Sequence, residues 1–297
     1  MKVLVSGASG LVGRGLVRGL EADGHEVSRL VRRAPKGPAE IEWDPGAGSL
    51  DPDALGGFDV VVHLAGENIA GGRWSDERKA RIRDSRVDGT RLLVERLLAA
   101  EPRPRAFVGA SAIGYYGDRG DTVCDESTPP GDGFLPDVCV AWEEAARPLA
   151  DASVRVAHLR IGIVLSEKGG ALKAMLLPFR LGVAGRLGPG TQWMSWIGYD
   201  DLIAALRFVI ERDDASGAYN AVAPHPVTNA EYTKTLGRVL GRPTILPAPA
   251  FLIRLALGEM ADALLLASTR VVPERLTAAG FAFERPALEA ALRAELG

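Results

Sequence analysis

Short apolar runs alternate with amphipathic stretches through the first half of the chain. The apolar runs are continuous and rich in valine, as at residues 60–62, which is typical of strands buried on both faces. The amphipathic stretches between them predict helices, and this alternation predicts a parallel sheet with crossover helices. The predicted strands are residues 2–6, 25–31, 41–43, 60–64, 106–109 and 155–159, and the predicted helices are residues 11–22, 76–100 and 136–151.

The pattern changes after about residue 165. Glycine and aromatic residues cluster over residues 182–196, which predicts loops and short strands, and a helix at 201–211 and a strand at 218–221 return to the sheet. From residue 224 onward, prolines separate short helical stretches. We therefore predict a larger α/β unit over residues 1–222, with 166–200 on its substrate side, and a small, mainly helical domain over 223–297.

Three glycines connect the first predicted strand to the first predicted helix. Gly7, Gly10 and Gly13 have the GxxGxxG spacing of a dinucleotide-binding turn. The first permits a tight turn, the second lets a pyrophosphate approach the backbone, and the third allows close helix–strand packing. Free N–H groups at the helix N-terminus then face the anion. A glycine-rich turn without a ligand is the alternative. The predicted contacts of the turn are Gly7, Ser9, Gly10, Leu11, Val12 and Gly13.

The end of the second predicted strand bears on the choice of cofactor. A protein selective for NAD usually has Asp or Glu there, to bind the ribose hydroxyls. Here Val31 is followed by Arg32 and Arg33. Guanidinium groups attract a 2′-phosphate and can bind it through paired hydrogen bonds, whereas a carboxylate would repel it. The sequence therefore predicts NADP(H), bound by Arg32 and Arg33. The alternative is that both arginines are solvated loop residues.

Composition indicates which partners and which compartment to expect for this fold. The 297 residues are 47% hydrophobic and 25% charged, with a formal net charge of -3, which does not favour nucleic acid or an anionic membrane as the main partner. The cysteines, Cys124 and Cys139, lack metal-ligand spacing with the histidines, so no metal is expected, and Cys139 is predicted to be a buried helix residue. The N-terminal apolar run is too short for a signal peptide, which predicts a cytoplasmic protein without membrane spans.

Motifs along nearly the whole chain resemble those of one family. The sequence is similar to the extended short-chain dehydrogenase/reductase superfamily, and more narrowly to its atypical, epimerase-like NAD(P)-binding branch with a C-terminal domain of unknown function. The matching stretches are residues 63–67 (HLAGE), 85–90 (SRVDGT), 111–117 (SAIGYYG), 138–139 with 142–143, 159–162 (LRIG), 169–172 (GGAL), 195–197 with 200–202, 240–243 (LGRP) and 280–281.

The resemblance implies a doubly wound Rossmann sheet whose smaller C-terminal domain closes over the nicotinamide end of the cofactor. Residues 64–67 would pass beside the adenosine ribose and the pyrophosphate, and residues 110–111 would lie near the nicotinamide. Arg160 would point towards the crevice, or alternatively form an ion pair that supports the domain junction. The predicted cofactor contacts beyond the turn and the two arginines are His63, Leu64, Ala65, Gly66, Glu67, Arg86, Ala110 and Arg160.

The usual catalytic residues of the superfamily are incomplete in this chain. Active members carry a Tyr and, four residues later, a Lys in the helix that here begins near residue 136. The Tyr is the general acid/base, and the Lys lowers its pKa and binds the nicotinamide ribose. This helix has neither residue. Ser111 matches the Ser that holds the substrate oxygen, and Arg86 stands where an Asn is common.

Substitutes for the missing pair are predicted on the loop after the Ser111 strand. Tyr115 or Tyr116 could supply a phenol, and Arg86 could lower its pKa and bind the cofactor or an anionic substrate. Our hypothesis is that Ser111 and Tyr116 orient and protonate a carbonyl during hydride transfer. The alternative is that both tyrosines are aromatic packing residues.

Two functions remain open from the sequence. The first is an NADP-dependent oxidoreductase or sugar-nucleotide-type epimerase, a monomer or homodimer, that acts on a small carbonyl or hydroxyl compound with non-standard catalytic residues. The second is a catalytically silent NADP-binding sensor or stabilising subunit, which the absence of the Tyr and Lys favours. A pocket beside the nicotinamide with a free proton donor would favour the first function.

Overall fold

A sheet of seven parallel strands forms the centre of the computed structural model, which describes residues 1–297. The strand order is β12-β8-β6-β5-β1-β2-β3, and β4 is added antiparallel to β3 at the edge. The strands are β1 (Lys2–Ser6), β2 (Glu26–Val31), β3 (Glu40–Asp44), β4 (Ser49–Leu50), β5 (Val60–His63), β6 (Ala106–Ala112), β7 (Val123–Cys124), β8 (Arg155–Ile161), β9 (Ile163–Leu165), β10 (Trp193–Met194), β11 (Trp196–Gly198), β12 (Gly217–Ala221), β13 (Val227–Thr228) and β14 (Arg270–Val271).

Helices cover both faces of this sheet, because its strands are apolar on both sides. The helices are α1 (Leu11–Ala22), α2 (Asp76–Ala99), α3 (Phe134–Glu144), α4 (Arg147–Asp151), α5 (Gly170–Arg180), α6 (Tyr199–Glu211), α7 (Asn229–Leu240), α8 (Ala250–Leu257), α9 (Glu259–Ala261), α10 (Glu274–Ala278) and α11 (Leu288–Leu296). One face packs on α1 and α6, and the other packs on α2 and α4. None of these helices combines the length and the apolar character that a bilayer span requires.

The doubly wound parallel sheet predicted from the sequence is confirmed. The predicted helix over residues 136–151 is wrong in one respect, because it is two helices, α3 and α4. Pro148 lies in the first turn of α4. Its ring excludes a hydrogen bond to the preceding turn and clashes with the carbonyl of Glu144, so that α3 ends there. The sequence patterns also do not predict α5, whose buried Leu172, Leu176 and Phe179 follow helical spacing around an internal proline.

The C-terminal residues contact the rest of the chain at several positions that are far away in sequence. Strand β14 pairs with β7, and the Ser195 hydroxyl accepts from Val271 N and donates to Thr269 O. The buried carboxylate of Asp201 accepts from the backbone N–H groups of Glu284 and Arg285. Helices α5, α7 and α11 share a third apolar core around Trp196 and Tyr232. These helices and the sheet therefore form one continuous structure beside the crevice.

Candidate functional site

The order of the strands fixes where a ligand can bind. Strands β2 and β3 lie on one side of β1, and β5, β6, β8 and β12 lie on the other, so that the order reverses between β1 and β5. Ligands of open α/β sheets bind at the carboxyl ends of the strands at such a reversal. Here that position is the turn after Ser6 and the loop after His63, which face each other across the paired strands.

The glycines of the turn are required by its packing. Gly7 has a φ of 68°, and a Cβ there would lie 2.7 Å from the carbonyl carbon of Leu64. A Cβ on Gly13 would overlap the carbonyl oxygen of Gly7 and lie 2.8 Å from the Cα of Ala8. The turn is therefore closed against the β5 loop and against α1 by direct backbone contact, as a pyrophosphate-binding turn needs to be.

The N-terminus of α1 has backbone donors without side-chain caps. Gly10 is the N-cap residue and makes no side-chain cap, and the first turn holds no acidic residue. The first hydrogen bond that closes the helix runs from Arg14 N to Gly10 O, so the N–H groups of Leu11 and Val12 precede it. Such amides and the helix dipole stabilise an anion. The donors predicted from the sequence are thus arranged as a phosphate site requires.

The two arginines after β2 have different surroundings. Arg33 forms two hydrogen bonds of 2.6 Å and 2.8 Å with the carboxylate of Glu40. These hydrogen bonds, with the charge of the guanidinium, hold the pKa of Glu40 at about 2. Arg32 is exposed and forms no ion pair or hydrogen bond within the chain. The prediction that both arginines bind the 2′-phosphate stays a prediction, and of the two, Arg32 has the unpaired guanidinium.

His63 does not reach the crevice. It is the last residue of β5 and is fully buried in the sheet. Its Nδ1 and the Ser6 Oγ share a hydrogen bond of 2.6 Å, and Trp43 and Phe107 pack around its ring. Burial and the nearby His158 lower the pKa of His63 to about 4, so the ring is neutral. The prediction that His63 contacts the cofactor is therefore not supported, because residue 63 is inside the strand and the loop begins at Leu64.

Arg86 supports the loop that follows β5. Its guanidinium donates to the carbonyl oxygens of Glu67 and Ile82, both at 3.0 Å, and lies 5.1 Å from the Trp142 ring centre. It is not hydrogen-bonded to either tyrosine. The Glu67 carboxylate forms no ion pair or hydrogen bond, and Gly66 is exposed beside it. Arg86 therefore fixes the path of the loop that follows β5, and the contact of residues 64–67 with the cofactor stays a prediction.

A row of polar side chains crosses the carboxyl end of the sheet next to the crevice. Ser111 on β6 lies opposite Arg160 on β8, which in turn lies opposite Asn220 on β12. Glu143 of α3 joins the row, accepting from Ser111 Oγ at 2.6 Å and from Arg160 at 2.9 Å and 2.8 Å. Burial raises the pKa of Glu143, but Arg160 and Ser111 lower it by more, so the carboxylate stays ionised.

Tyr116 belongs to this buried row. Its hydroxyl is fully buried, donates to Asn220 Oδ1 at 2.8 Å and accepts from Arg160 at 3.0 Å. Burial raises the pKa of Tyr116 to about 12 despite Arg160 and Asn220. The hypothesis that Arg86 lowers a tyrosine pKa here is wrong, because Arg86 lies elsewhere and Arg160 contacts Tyr116. This geometry also does not support proton transfer from Tyr116 to a substrate.

Ser111 and Arg160 are turned into the protein by the strands that carry them. Strand alternation turns Ser111 towards α3, where it is 3% exposed, while its neighbours Ala110 and Ala112 point to the other side. Strand β8 continues to Ile161, two residues beyond its predicted end, and this extension places Arg160 inside the sheet. A buried arginine in a strand needs a carboxylate partner. That rule was the available signal for Glu143, which the sequence analysis did not assign a role.

Tyr115 is more exposed than Tyr116. Its ring lies 3.4 Å from the Arg160 guanidinium carbon and packs edge-on against Tyr116, and the residue is half-buried. Its hydroxyl forms no hydrogen bond with the chain. Cys139, by contrast, is buried, and burial raises the pKa of its thiol, as expected for a packing residue. Of the two predicted phenols, the structure leaves Tyr115 free to contact a ligand.

These features define a Rossmann-type dinucleotide-binding protein: a reversed parallel sheet, a closed glycine turn with free helix amides, and an unpaired arginine after β2. Comparison with known proteins specifies this class. The sequence model of the "NAD dependent epimerase/dehydratase family" matches residues 3–222. The model of a "Domain of unknown function (DUF1731)" matches residues 248–295. The chain belongs to the NAD-dependent epimerase/dehydratase family, and the resemblance seen in its motifs is confirmed.

Relatives from distant organisms match almost the whole chain. An epimerase family protein of Mycobacterium bovis is 44% identical over 290 residues, which cover 98% of this chain and 96% of that protein. The human epimerase family protein SDR39U1 is 39% identical over 296 residues, 99% of both chains. The crystal structure of human SDR39U1 (isoform 2) with NADPH superposes with a TM-score of 0.91 at 37% identity, covering 99% of both chains.

A second solved structure extends beyond this chain. It is described as the nucleoside-diphosphate sugar epimerase from Corynebacterium glutamicum and is 39% identical, with a TM-score of 0.83. The match covers 100% of this chain but 58% of that one. The shared part therefore corresponds to the whole structure described above.

Proposed function

We propose that this protein binds NADP(H) and uses it in an oxidoreductase or epimerase reaction on a small carbonyl or hydroxyl compound. The observation that carries the proposal is the unpaired guanidinium of Arg32, which lies after β2 beside a glycine turn with free amide donors. The NADPH bound to the human relative supports the same cofactor. Residues Gly7 to Gly13 would hold the pyrophosphate, and Arg32 would hold the 2′-phosphate.

Replacing Arg32 with alanine is expected to weaken NADPH binding at least tenfold and to leave NADH binding unchanged. A hydrogen bond to a charged group contributes about 1.5–3 kcal/mol, and about 1.4 kcal/mol is a tenfold change. Fluorescence titration with each nucleotide measures both effects. Arg33→Ala is the matched control, because Arg33 is engaged by Glu40, and its loss of affinity should be smaller. Equal losses for NADPH and NADH would remove Arg32 from cofactor selection.

The proposed reaction needs a proton donor at the crevice. When bound, NADPH supplies a hydride, which goes to the carbonyl carbon, and a protein group must deliver a proton to the carbonyl oxygen. Ser111 and Tyr116 are engaged in the buried row, so we assign this role to Tyr115, whose hydroxyl makes no hydrogen bond and whose ring packs on the Arg160 guanidinium. The Glu67 carboxylate is also unpaired and can position a substrate hydroxyl.

Replacing Tyr115 with phenylalanine is expected to lower kcat by about 10²–10⁴ without changing NADPH affinity, since general acid catalysis has that magnitude. The measurement is NADPH oxidation in the presence of a panel of small aldehydes and ketones. Tyr116→Phe is the control: it should lower stability, because Asn220 and Arg160 lose a buried partner, while kcat is retained in the folded fraction. Full turnover by Tyr115→Phe would eliminate this residue as the donor.

A second function is favoured by a specific observation. Ser111, Tyr116, Glu143 and Arg160 satisfy one another's hydrogen bonds, as expected of a structural row in a protein that binds NADP(H) without turnover. The same assay separates the two functions. Tight NADPH binding without oxidation by any carbonyl compound would favour the silent binding protein. Saturable turnover would favour the enzyme.

A further inference from the structure

The exposed apolar side chains of the protein are concentrated in two segments. Of nine large hydrophobic residues that are exposed, eight lie in residues 177–183 and 245–255, and Val123 is the exception. We call these eight the apolar surface: Leu177, Leu181, Val183, Ile245, Leu246, Phe251, Leu252 and Leu255. Their exposed fractions range from 48% to 77%. Apolar patches of this kind on otherwise polar proteins mark interaction sites.

The two segments are neighbours in the fold. Ala248 N donates to Arg186 O at 2.9 Å, and Gly188 N donates to Ala248 O at 2.8 Å. Gly185 packs directly against the backbone of Leu246, and a Cβ on Gly182 would lie 3.6 Å from Pro243. The end of α5 and the start of α8 are thus joined by a short stretch of paired backbone. Their exposed side chains therefore belong to one region of the molecular surface.

Helix α8 carries most of its apolar side chains outwards. Of its large residues, Ile253 is buried, whereas Phe251, Leu252 and Leu255 face solvent. An ordinary surface helix buries its apolar face and exposes its polar one. Helix α8 buries Ile253 but exposes three large apolar side chains beside its single charged residue, Arg254, so its outer surface is mostly apolar.

The charged residues within and next to the two segments have a single sign. Residues 168–198 and 240–258 contain six Lys or Arg residues and no Asp or Glu. Arg254 pairs with Asp262, and Arg180 is 3.9 Å from Glu167. The remaining four form no ion pair: Lys168, Lys173, Arg186 and Arg242. Three of these four lie beside the apolar surface: Lys173 one turn before Leu177 on α5, Arg186 paired through its backbone with Ala248, and Arg242 next to Pro243. The charge at this surface is therefore positive, although the whole chain has a net charge of -3.

We propose that the apolar surface binds the face of an anionic lipid bilayer. Apolar side chains of α8 would enter the boundary between headgroups and acyl chains, and the surrounding Lys and Arg side chains would contact anionic headgroups. A second copy of the chain is disfavoured as the occupant, because a symmetric interface would bring like charges together. This proposal revises the expectation of no membrane partner, which was based on the net charge and not on its local distribution.

The test is co-sedimentation with vesicles of phosphatidylcholine alone and of phosphatidylcholine with phosphatidylglycerol. We expect at least about tenfold stronger partitioning onto the anionic vesicles, reduced by salt, since each basic residue at such a surface adds to the attraction. Phe251→Ser with Leu255→Ser, and separately Lys173→Glu with Arg242→Glu, should each remove it. Val123→Ser is the matched control, because Val123 is 48% exposed outside the apolar surface and should leave binding unchanged.

Three results would overturn the proposal. They are equal partitioning onto neutral and anionic vesicles, binding that the two double variants do not reduce, and a wild-type dimer that Phe251→Ser with Leu255→Ser converts to a monomer in light scattering. The last result would identify a second copy as the occupant. NADPH titration of every variant confirms that the fold is retained, because the substituted side chains are exposed and distant from the turn in sequence.

Discussion

Alanine at Gly13 is expected to reduce NADPH affinity at least about 100-fold, the effect of losing two hydrogen bonds to a charged group at about 1.5–3 kcal/mol each. The added Cβ would overlap the Gly7 carbonyl and press on Ala8, so that the turn must open away from α1. The amides of Leu11 and Val12 would then no longer face the pyrophosphate. The overlap should also lower the free energy of unfolding by about 1–3 kcal/mol.

Gly89→Ala is the matched control for this substitution. Gly89 is also a buried helical glycine, but a Cβ there would lie 3.9 Å from its nearest neighbour, Pro45. Alanine is the better helix former, so Gly89→Ala should bind NADPH normally and be unchanged or slightly more stable. Fluorescence titration and urea denaturation of the two variants measure both effects. Normal NADPH binding by Gly13→Ala would mean that the turn does not hold the cofactor.

Methionine at Arg160 is expected to lower the free energy of unfolding by about 3–5 kcal/mol, the usual effect of removing one partner of a buried ion pair. Glu143 would remain buried with an unpaired charge, and Tyr116 would lose the guanidinium that donates to it. The side chains of Arg160 and Glu143 are 5% and 14% exposed, so water cannot replace the lost contact. Urea denaturation at near-neutral pH measures the loss.

Arg147→Met serves as the control, because Arg147 pairs with Glu144 at 3.6 Å where both side chains are more than half exposed. Exposed pairs contribute little, so this variant should denature almost like the wild type. Equal losses in the two variants would contradict the structural role given to the buried pair.

The pH dependence provides an independent check on the buried pair. In the wild type the pKa of Glu143 lies below its ordinary value of 4.5, so the pair stabilises the fold above that pH and is lost as the pH falls through the lower folded value. In Arg160→Met the guanidinium is gone, and burial would outweigh the remaining hydrogen bond from Ser111 and raise the pKa of Glu143. Protonation of Glu143 then removes the buried unpaired charge that destabilises the variant. The difference in stability between wild type and variant should therefore begin to shrink above pH 4.5, as the pH falls through the raised pKa of Glu143 in the variant, and shrink further below 4.5, where the wild type loses the pair.

Periodicity and glycine spacing were sufficient to predict the sheet and the nucleotide turn. Helix α1 has its predicted bounds, and α2 begins at its predicted residue, where Ser75 caps it by accepting from Arg78 N. These features are local: strand runs, caps and turn glycines depend on residues a few positions apart. Helix α5 was missed because an internal proline interrupts a pattern that is otherwise helical.

The orientation of the polar side chains could not be predicted in the same way. Ser111, Tyr116 and Arg160 were expected at the crevice, but their partners Glu143 and Asn220 come from elements far away in sequence. Strand β8 is two residues longer than predicted, and this extension decides whether Arg160 lies at the edge of the sheet or inside it. Arg33 was likewise expected to be free, and its partner Glu40 becomes a neighbour when β3 pairs with β2. Tertiary pairing, not local pattern, determines which polar groups remain free for a ligand.

The contacts of β14, Ser195 and Asp201 have a practical consequence for dissecting the protein. In a fragment of residues 1–222, the Asp201 carboxylate would lose the two backbone N–H groups that donate to it. Strand β7 would also lose its partner strand, β14. The fragment would also expose the core side chain of Val222, which packs with Val271. The nucleotide-binding half is therefore expected to aggregate when made by itself, and supplying residues 223–297 as a separate peptide should rescue it. Complementation between the fragments would make the last quarter of the chain an obligatory folding partner of the first three.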